Sequence, residues 1–125
     1  GSAGKVILTF LPGARQDQIL GVANLQPFTR HTITDPGSLR AELEKIRKSG
    51  YAFSHGEWIE DASGVAAPIF GADRQVAGAL TISGPTQRFT REVIERYGHE
   101  VVRAANEISR QTGYNLSPSS STHRK

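Results

Sequence analysis

The stretch Gly64–Pro85, GVAAPIFGADRQVAGALTISGP, decides how the rest of the chain is read. Its first run, Gly64–Phe70, is short, apolar and rich in small residues, the pattern of a strand covered on both faces. Gly71-Ala72-Asp73-Arg74 supplies a turn, because glycine tolerates a positive φ and aspartate can bond its own backbone. The second run alternates. Val76, Gly78, Leu80 and Ile82 fall on one face, and Ala77, Ala79, Thr81 and Ser83 on the other. The first face needs a core. The second is small and ends in two hydroxyls, which leaves two readings open: a sheet packed closely under a helix, or the floor of a ligand cavity.

The flanking sequence supplies the cover. Val6, Ile7, Phe10 and Leu11 follow helical spacing from Ala3, and Pro12-Gly13 stops that run. A second short helix is expected over Arg15–Leu20, then a loop over 22–34 with an extended segment near Arg30–Ile33. Thr34-Asp35-Pro36 reads as a helix start, with a capping side chain just before a proline. Leu39, Leu43 and Ile46 then line one face, and Gly50 is placed to end the helix in the left-handed conformation. Tyr51–Trp58 reads as a strand in which Tyr51 and Phe53 share a face. After Gly84-Pro85, Thr90 is a cap for a long helix running to about Thr112. Its stripe is Val93, Ile94, Tyr97, Val101, Ala104, Ala105 and Ile108. The fold class is α+β, an antiparallel sheet flanked by helices. One domain spans 1–113, and the Ser-rich polar tail 114–125 is expected to be disordered.

Composition bounds the function. The chain has 125 residues, enough for one core, and no cysteine, which excludes disulfides and thiolate metal sites. A pI near 9.6 invites a nucleic-acid reading. The 15 basic and 12 acidic residues include Arg124 and Lys125 in the tail, so the body holds 13 against 12. A nearly balanced body lacks the concentrated basic face that phosphate binding needs. There is neither a charged-then-apolar leader nor a long apolar run, so a soluble cytoplasmic protein without a membrane partner is the expectation. His31, His55, His99 and His123 are scattered, and no P-loop, G-x-S-x-G or G-x-G-x-x-G occurs; no metal, cofactor or catalytic residue is expected. Glu57, Glu60 and Asp61 read as a solvated loop rather than an acid–base pair.

Several stretches carry a resemblance in order. They are Ala3-Gly4-Lys5; L-R-x-E-L-E-x-I-R-x-x-G-Y-A over Leu39–Ala52; G-V-A-A-P-I-F over Gly64–Phe70; and A-L-T-I-S-G-P over Ala79–Pro85. Together they resemble the effector-binding domain of IclR-type transcriptional regulators, from Ala3 to about Gly113. The resemblance implies a GAF-like (profilin-like) sheet, here a partial domain shortened at its N-terminal side. It also implies a ligand-sensing and oligomerising function without enzymatic activity. A small organic or aromatic acid is the implied effector, a homodimer or homotetramer the implied assembly, and DNA is met only through a separate winged-helix domain. The rival reading is an enzyme or stand-alone small-molecule binder on the same fold.

Carried over position by position, the resemblance implies ligand contacts from Ser2, Ala3 and Gly4; from Ser54, His55 and Glu57; from Ser63 and Gly64; and from Thr81 and Ser83. The physical logic has its own footing. Free amides at a helix start favour a carboxylate, and strand hydroxyls can hold the remaining polar atoms. The family's acidic run after G-Y-x-x is here Ser54-His55-Gly56-Glu57, and Gly64 stands where cysteine or serine is common. A more open, less acidic pocket with one titratable histidine follows, whose cationic form would favour acid binding at low pH.

Overall fold

The computed structural model describes residues 1–22, 36–56 and 60–114. In chain order it holds α1 (Ser2–Thr9), α2 (Gly13–Val22), α3 (Pro36–Ser49), β1 (Ala52–His55), β2 (Ala62–Phe70), β3 (Val76–Pro85), a 3-10 turn (Thr86–Arg88) and α4 (Arg91–Gln111). The α+β expectation holds: one three-stranded antiparallel sheet, ordered β1-β2-β3, lies between helices. Thr34, Asp35, the segment at Arg30–Ile33, and the tail from Asn115 lie outside the described residues.

β2 is central and is buried from Ser63 to Pro68, which is why its sequence is apolar without alternation. β1 pairs with it only as far as Ala52↔Ala66. Pro68 lies two residues further on and pairs with Ala79 of β3 alone, so its missing N–H meets no third strand. Against one face of the sheet lie α1 and α3: Val6, Leu39, Leu43 and Ile46 pack with Ala52 and Ala66. Against the other lies α4, where Val101 and Ala105 meet Val65 and Ala67, joined by Tyr51, Phe53, Leu80 and Ile82. The alternation of β3 therefore sends Leu80 and Ile82 to α4 and leaves Ala79 toward α1.

The hairpin turn departs from expectation. The left-handed residue is Arg74, at φ 67°, rather than a glycine. Asp73 still bonds locally, its carboxylate accepting from the Gln75 amide at 3.0 Å. The guanidinium of Arg74 lies 5.2 Å from the Tyr114 ring centre, a contact that accompanies the strained backbone. Gly50, at φ +88°, ends α3 as its position required.

Thr90 caps α4, its hydroxyl accepting from the Val93 amide. The fully buried face of α4 consists of Gly98, Val101, Ala105 and Ser109, and Ala104 is exposed. Small residues let the helix lie close to β2. Ser109 then serves the sheet directly: its hydroxyl accepts from the Phe70 amide at 2.9 Å and donates to the Ala105 carbonyl at 2.9 Å. Thr112 donates to the Phe70 carbonyl at 2.7 Å. This is the end of β2, where the register slips at Ile69/Phe70 and the ladder no longer supplies both partners. Ser109→Ala should lower stability by about 1–2 kcal/mol, because the Phe70 amide loses its partner. Urea denaturation checks this; a change of only a few tenths would mean the amide finds water instead.

On the opposite face α1 is tied down at its C-terminal end. Arg47 donates to the Thr9 carbonyl at 2.7 Å and Gln16 to the Leu8 carbonyl at 2.9 Å, covering acceptors that the helix itself leaves open. Buried Lys5 reaches Glu42 of α3 at 3.2 Å and donates to the Phe53 carbonyl at 2.9 Å. One side chain thus joins α1, α3 and β1.

Candidate functional site

The register sorts the sequence-derived residues by face. Ser54, Gly64 and Ser83 are directly opposed across the three strands, and Ala52, Ala66 and Thr81 form the next row on the same face. His55, Ser63 and Gly84 form a row on the other face. The first face is the one α1 covers. Its start brings Ser2 over the sheet: a Cβ built on Gly64 would lie 3.1 Å from Ser2 Oγ and 3.4 Å from Ser83 Oγ. Ser54 Oγ lies nearby, 3.9 Å from where a Cβ of Gly1 would stand. Hydroxyls from α1, β1 and β3 therefore converge above the one β2 residue without a side chain.

These hydroxyls are uncommitted. Those of Ser2, Ser54, Thr81 and Ser83 make no hydrogen bond to another described residue, whereas those of Ser63, Ser109 and Thr112 are engaged. Ser2 and Ser54 are 5% and 7% exposed, yet among the described residues no fully buried side-chain polar atom lacks a partner. The small exposure that remains therefore includes their oxygens, which face open space. Ala3 is half-buried and Gly4 exposed at the same helix end. No side chain caps α1 and no acidic residue occupies its first turn, so the positive end of the helix is not neutralised from within it.

His55 and Ser63 are not part of this cluster. Ser63 Oγ lies 3.1 Å from Thr86 Oγ1 and 3.5 Å from His55 Nδ1, on the side of the sheet that α4 covers. His55 itself is exposed. The alternation of β1 and β2 makes this unavoidable: neighbours in a strand cannot both face α1. Glu57 lies outside the described residues. Sequence reasoning passed over Lys5 as a side chain. Its buried ammonium beneath α1 holds that helix to β1, next to the hydroxyl cluster in chain and space. A lysine at a position that helical spacing places on the core face was the available signal.

Among the described residues no group of three or more histidine, cysteine, aspartate or glutamate side chains is placed to hold a metal. No described helix is long and apolar enough to cross a membrane.

Residues 1–110 match the model of the family described as bacterial transcriptional regulator IclR, C-terminal. The HTH-type transcriptional regulator KipR of Bacillus subtilis is 34% identical over 114 residues, 91% of this chain and 46% of that protein. The crystal structure of the Thermotoga maritima IclR superposes with a TM-score of 0.88 at 41% identity, over 90% of this chain and 46% of that one. The inducer-binding domain of PobR from Acinetobacter, in a double mutant complexed with 3-hydroxybenzoic acid, superposes with a TM-score of 0.77 at 27% identity, over 94% and 65%. The chain spans less than half the length of KipR. From Gly1 into the last turns of α4, this chain belongs to the IclR family of bacterial transcriptional regulators and corresponds to the family's C-terminal region.

Proposed function

We propose that this chain is the small-molecule sensing part of a transcriptional regulator, and that its ligand is a small organic or aromatic acid held between the start of α1 and β3. One observation carries the reading: uncommitted hydroxyls of Ser2, Ser54 and Ser83 converge on Gly64 beside an uncapped helix end. A carboxylate accepts from several donors at once and is favoured at a helix N-terminus. The 3-hydroxybenzoic acid complex of the PobR domain supports an acid as the ligand class. On this reading the chain is not catalytic, DNA is contacted by another part of the protein, and ligand binding alters how that part is presented.

Isothermal calorimetry with 3-hydroxybenzoate, benzoate and acetate is the test. Binding of at least one is expected. Thr81→Val and Ser83→Ala should each weaken it about fivefold, the loss of one neutral hydrogen bond of about 1 kcal/mol. His55→Ala should leave affinity within about twofold, because His55 lies on the other sheet face. No binding of any of the three would reject the acid reading. Equal affinity in parent, Thr81→Val and Ser83→Ala would move the site away from β3.

A further inference from the structure

A groove of about 400 Å³ opens beside the first turns of α4, lined by Tyr51, Arg91, Ile94 and Glu95. Ligand sites run from roughly 300 to 1,000 Å³, so it has room for one small molecule. Its polar groups are uncommitted. Arg91 and Glu95 are exposed and make no ion pair with another described residue, whereas Glu100 pairs with Arg103 and Glu107 with Arg110 further along the helix. A cation four residues before an anion is the weaker order on a helix, which leaves this pair open. The Tyr51 hydroxyl likewise makes no hydrogen bond to a described residue, since the bonds between Tyr51 and Ser49 use the tyrosine backbone.

The floor is apolar and belongs to the core. The Tyr51 ring lies against the α4 backbone, so close to Gly98 that a Cβ there would come within 2.6 Å of both its Cε atoms. Tyr51 and Ile94 are part of the cluster between α4 and the sheet, yet each is only half-buried. Both therefore keep apolar surface for the groove. An apolar floor with a few convergent polar groups is the usual make-up of a small-molecule site.

The charges select the ligand. Arg91 and Glu95 stand about 6 Å apart along the helix axis. A simple acid would satisfy Arg91 but set a second carboxylate beside Glu95, and a simple amine would satisfy Glu95 but repel Arg91. A zwitterion suits both, each of its charged groups gaining a charge-assisted hydrogen bond. The Tyr51 hydroxyl can serve either group, because it both donates and accepts. We propose that this groove binds a free α-amino acid with an apolar side chain, its carboxylate at Arg91, its ammonium at Glu95 and its side chain over Tyr51 and Ile94. A residue within a protein chain carries neither charge, so the groove distinguishes the free amino acid from a peptide segment. The site stands apart from the acid-binding reading, since it lies on the other side of the sheet.

Titration of the isotope-labelled chain with L-phenylalanine, followed by NMR at the backbone amides of Ile94, Glu95 and Gly98, tests it. Saturable shifts at these amides are expected, with a Kd of about 1 mM or tighter. 3-Phenylpropionate, 2-phenylethylamine and N-acetylphenylalanine amide each lack at least one of the two charges and should bind there at least about fivefold more weakly. Arg91→Ala and Glu95→Ala should each weaken phenylalanine about fivefold, and Tyr51→Phe about threefold. Arg91 and Glu95 are exposed and Tyr51→Phe keeps the ring, so these variants should melt with the parent. The series of analogues needs no variant, and decides the matter where one fails to fold. Unmoved amides at about 10 mM phenylalanine overturn the proposal. So does a groove that takes the propionate or the amine as well as it takes phenylalanine, or one indifferent to all three substitutions.

Discussion

Val101→Asp is expected to abolish cooperative folding of the domain. Val101 is 1% exposed, in the middle of α4 against Val65 and Ala67 of the central strand. Val101 is closed in by Val65, Ala67 and Ala105, so a carboxylate there would be stripped of its water. An unpaired buried charge costs several kcal/mol, on the order of 4 or more, against a total stability of about 5–15 kcal/mol. A circular dichroism melt should show no transition, or aggregation during expression. The informative control is Ala104→Asp, three residues along the same helix but exposed, which should shift the midpoint by no more than about 2 °C. If Val101→Asp melts like the parent, α4 does not pack as described; if both variants fail, added charge rather than burial is responsible.

Gly98→Ala should destabilise by about 1–3 kcal/mol, a large effect for one methyl group in a helix where alanine is otherwise preferred. Propensity alone favours the change by about 1 kcal/mol, so a net loss isolates the steric term. The cause is the Tyr51 ring, which occupies the space the methyl needs. Denaturant titration of Gly98→Ala, Tyr51→Ala and the double variant separates the contributions. The double variant should be less destabilised than the two singles added together, by about 1 kcal/mol or more, since removing the ring removes the clash. Strict additivity would show that α4 shifts to accept the methyl. A stabilised Gly98→Ala would show that the ring is free to move away.

The candidate site was half legible in the sequence. Ser54, Gly64, Thr81 and Ser83 were assigned to one site, and strand pairing does place them on one face beneath Ser2. The resemblance implies His55 and Ser63 as well, but each is the strand neighbour of a cluster member, and neighbours in a strand take opposite faces. Alternation within β3 was visible from Val76 to Ser83. What linked its odd and even positions to those of β1 and β2 was the register, which no single strand contains. The stripe of α4 shows the same limit. Val101 and Ala105 followed from helical spacing, but Ala104 was included and Gly98 and Ser109 were not. A periodicity argument ranks positions by hydrophobicity, so it misses a glycine buried for closeness and a serine buried for its hydroxyl.

By itself, the sequence determined the element types and their order, because these rest on local physics. Examples are the Leu39–Leu43–Ile46 spacing, the left-handed Gly50, the Thr90 cap and the apolar run of β2. Its motifs, in order, also identified the family. The tertiary structure alone decided which hydroxyls face one another and which charges remain unpaired. It also decided that Lys5 turns inward to Glu42 and the Phe53 carbonyl, and that Arg74, not a glycine, takes the strained turn position. Each of these depends on atoms brought together from residues distant in the chain, or on a backbone constrained by the pairing on either side. Local preferences of about 1 kcal/mol or less are readily overruled by such packing.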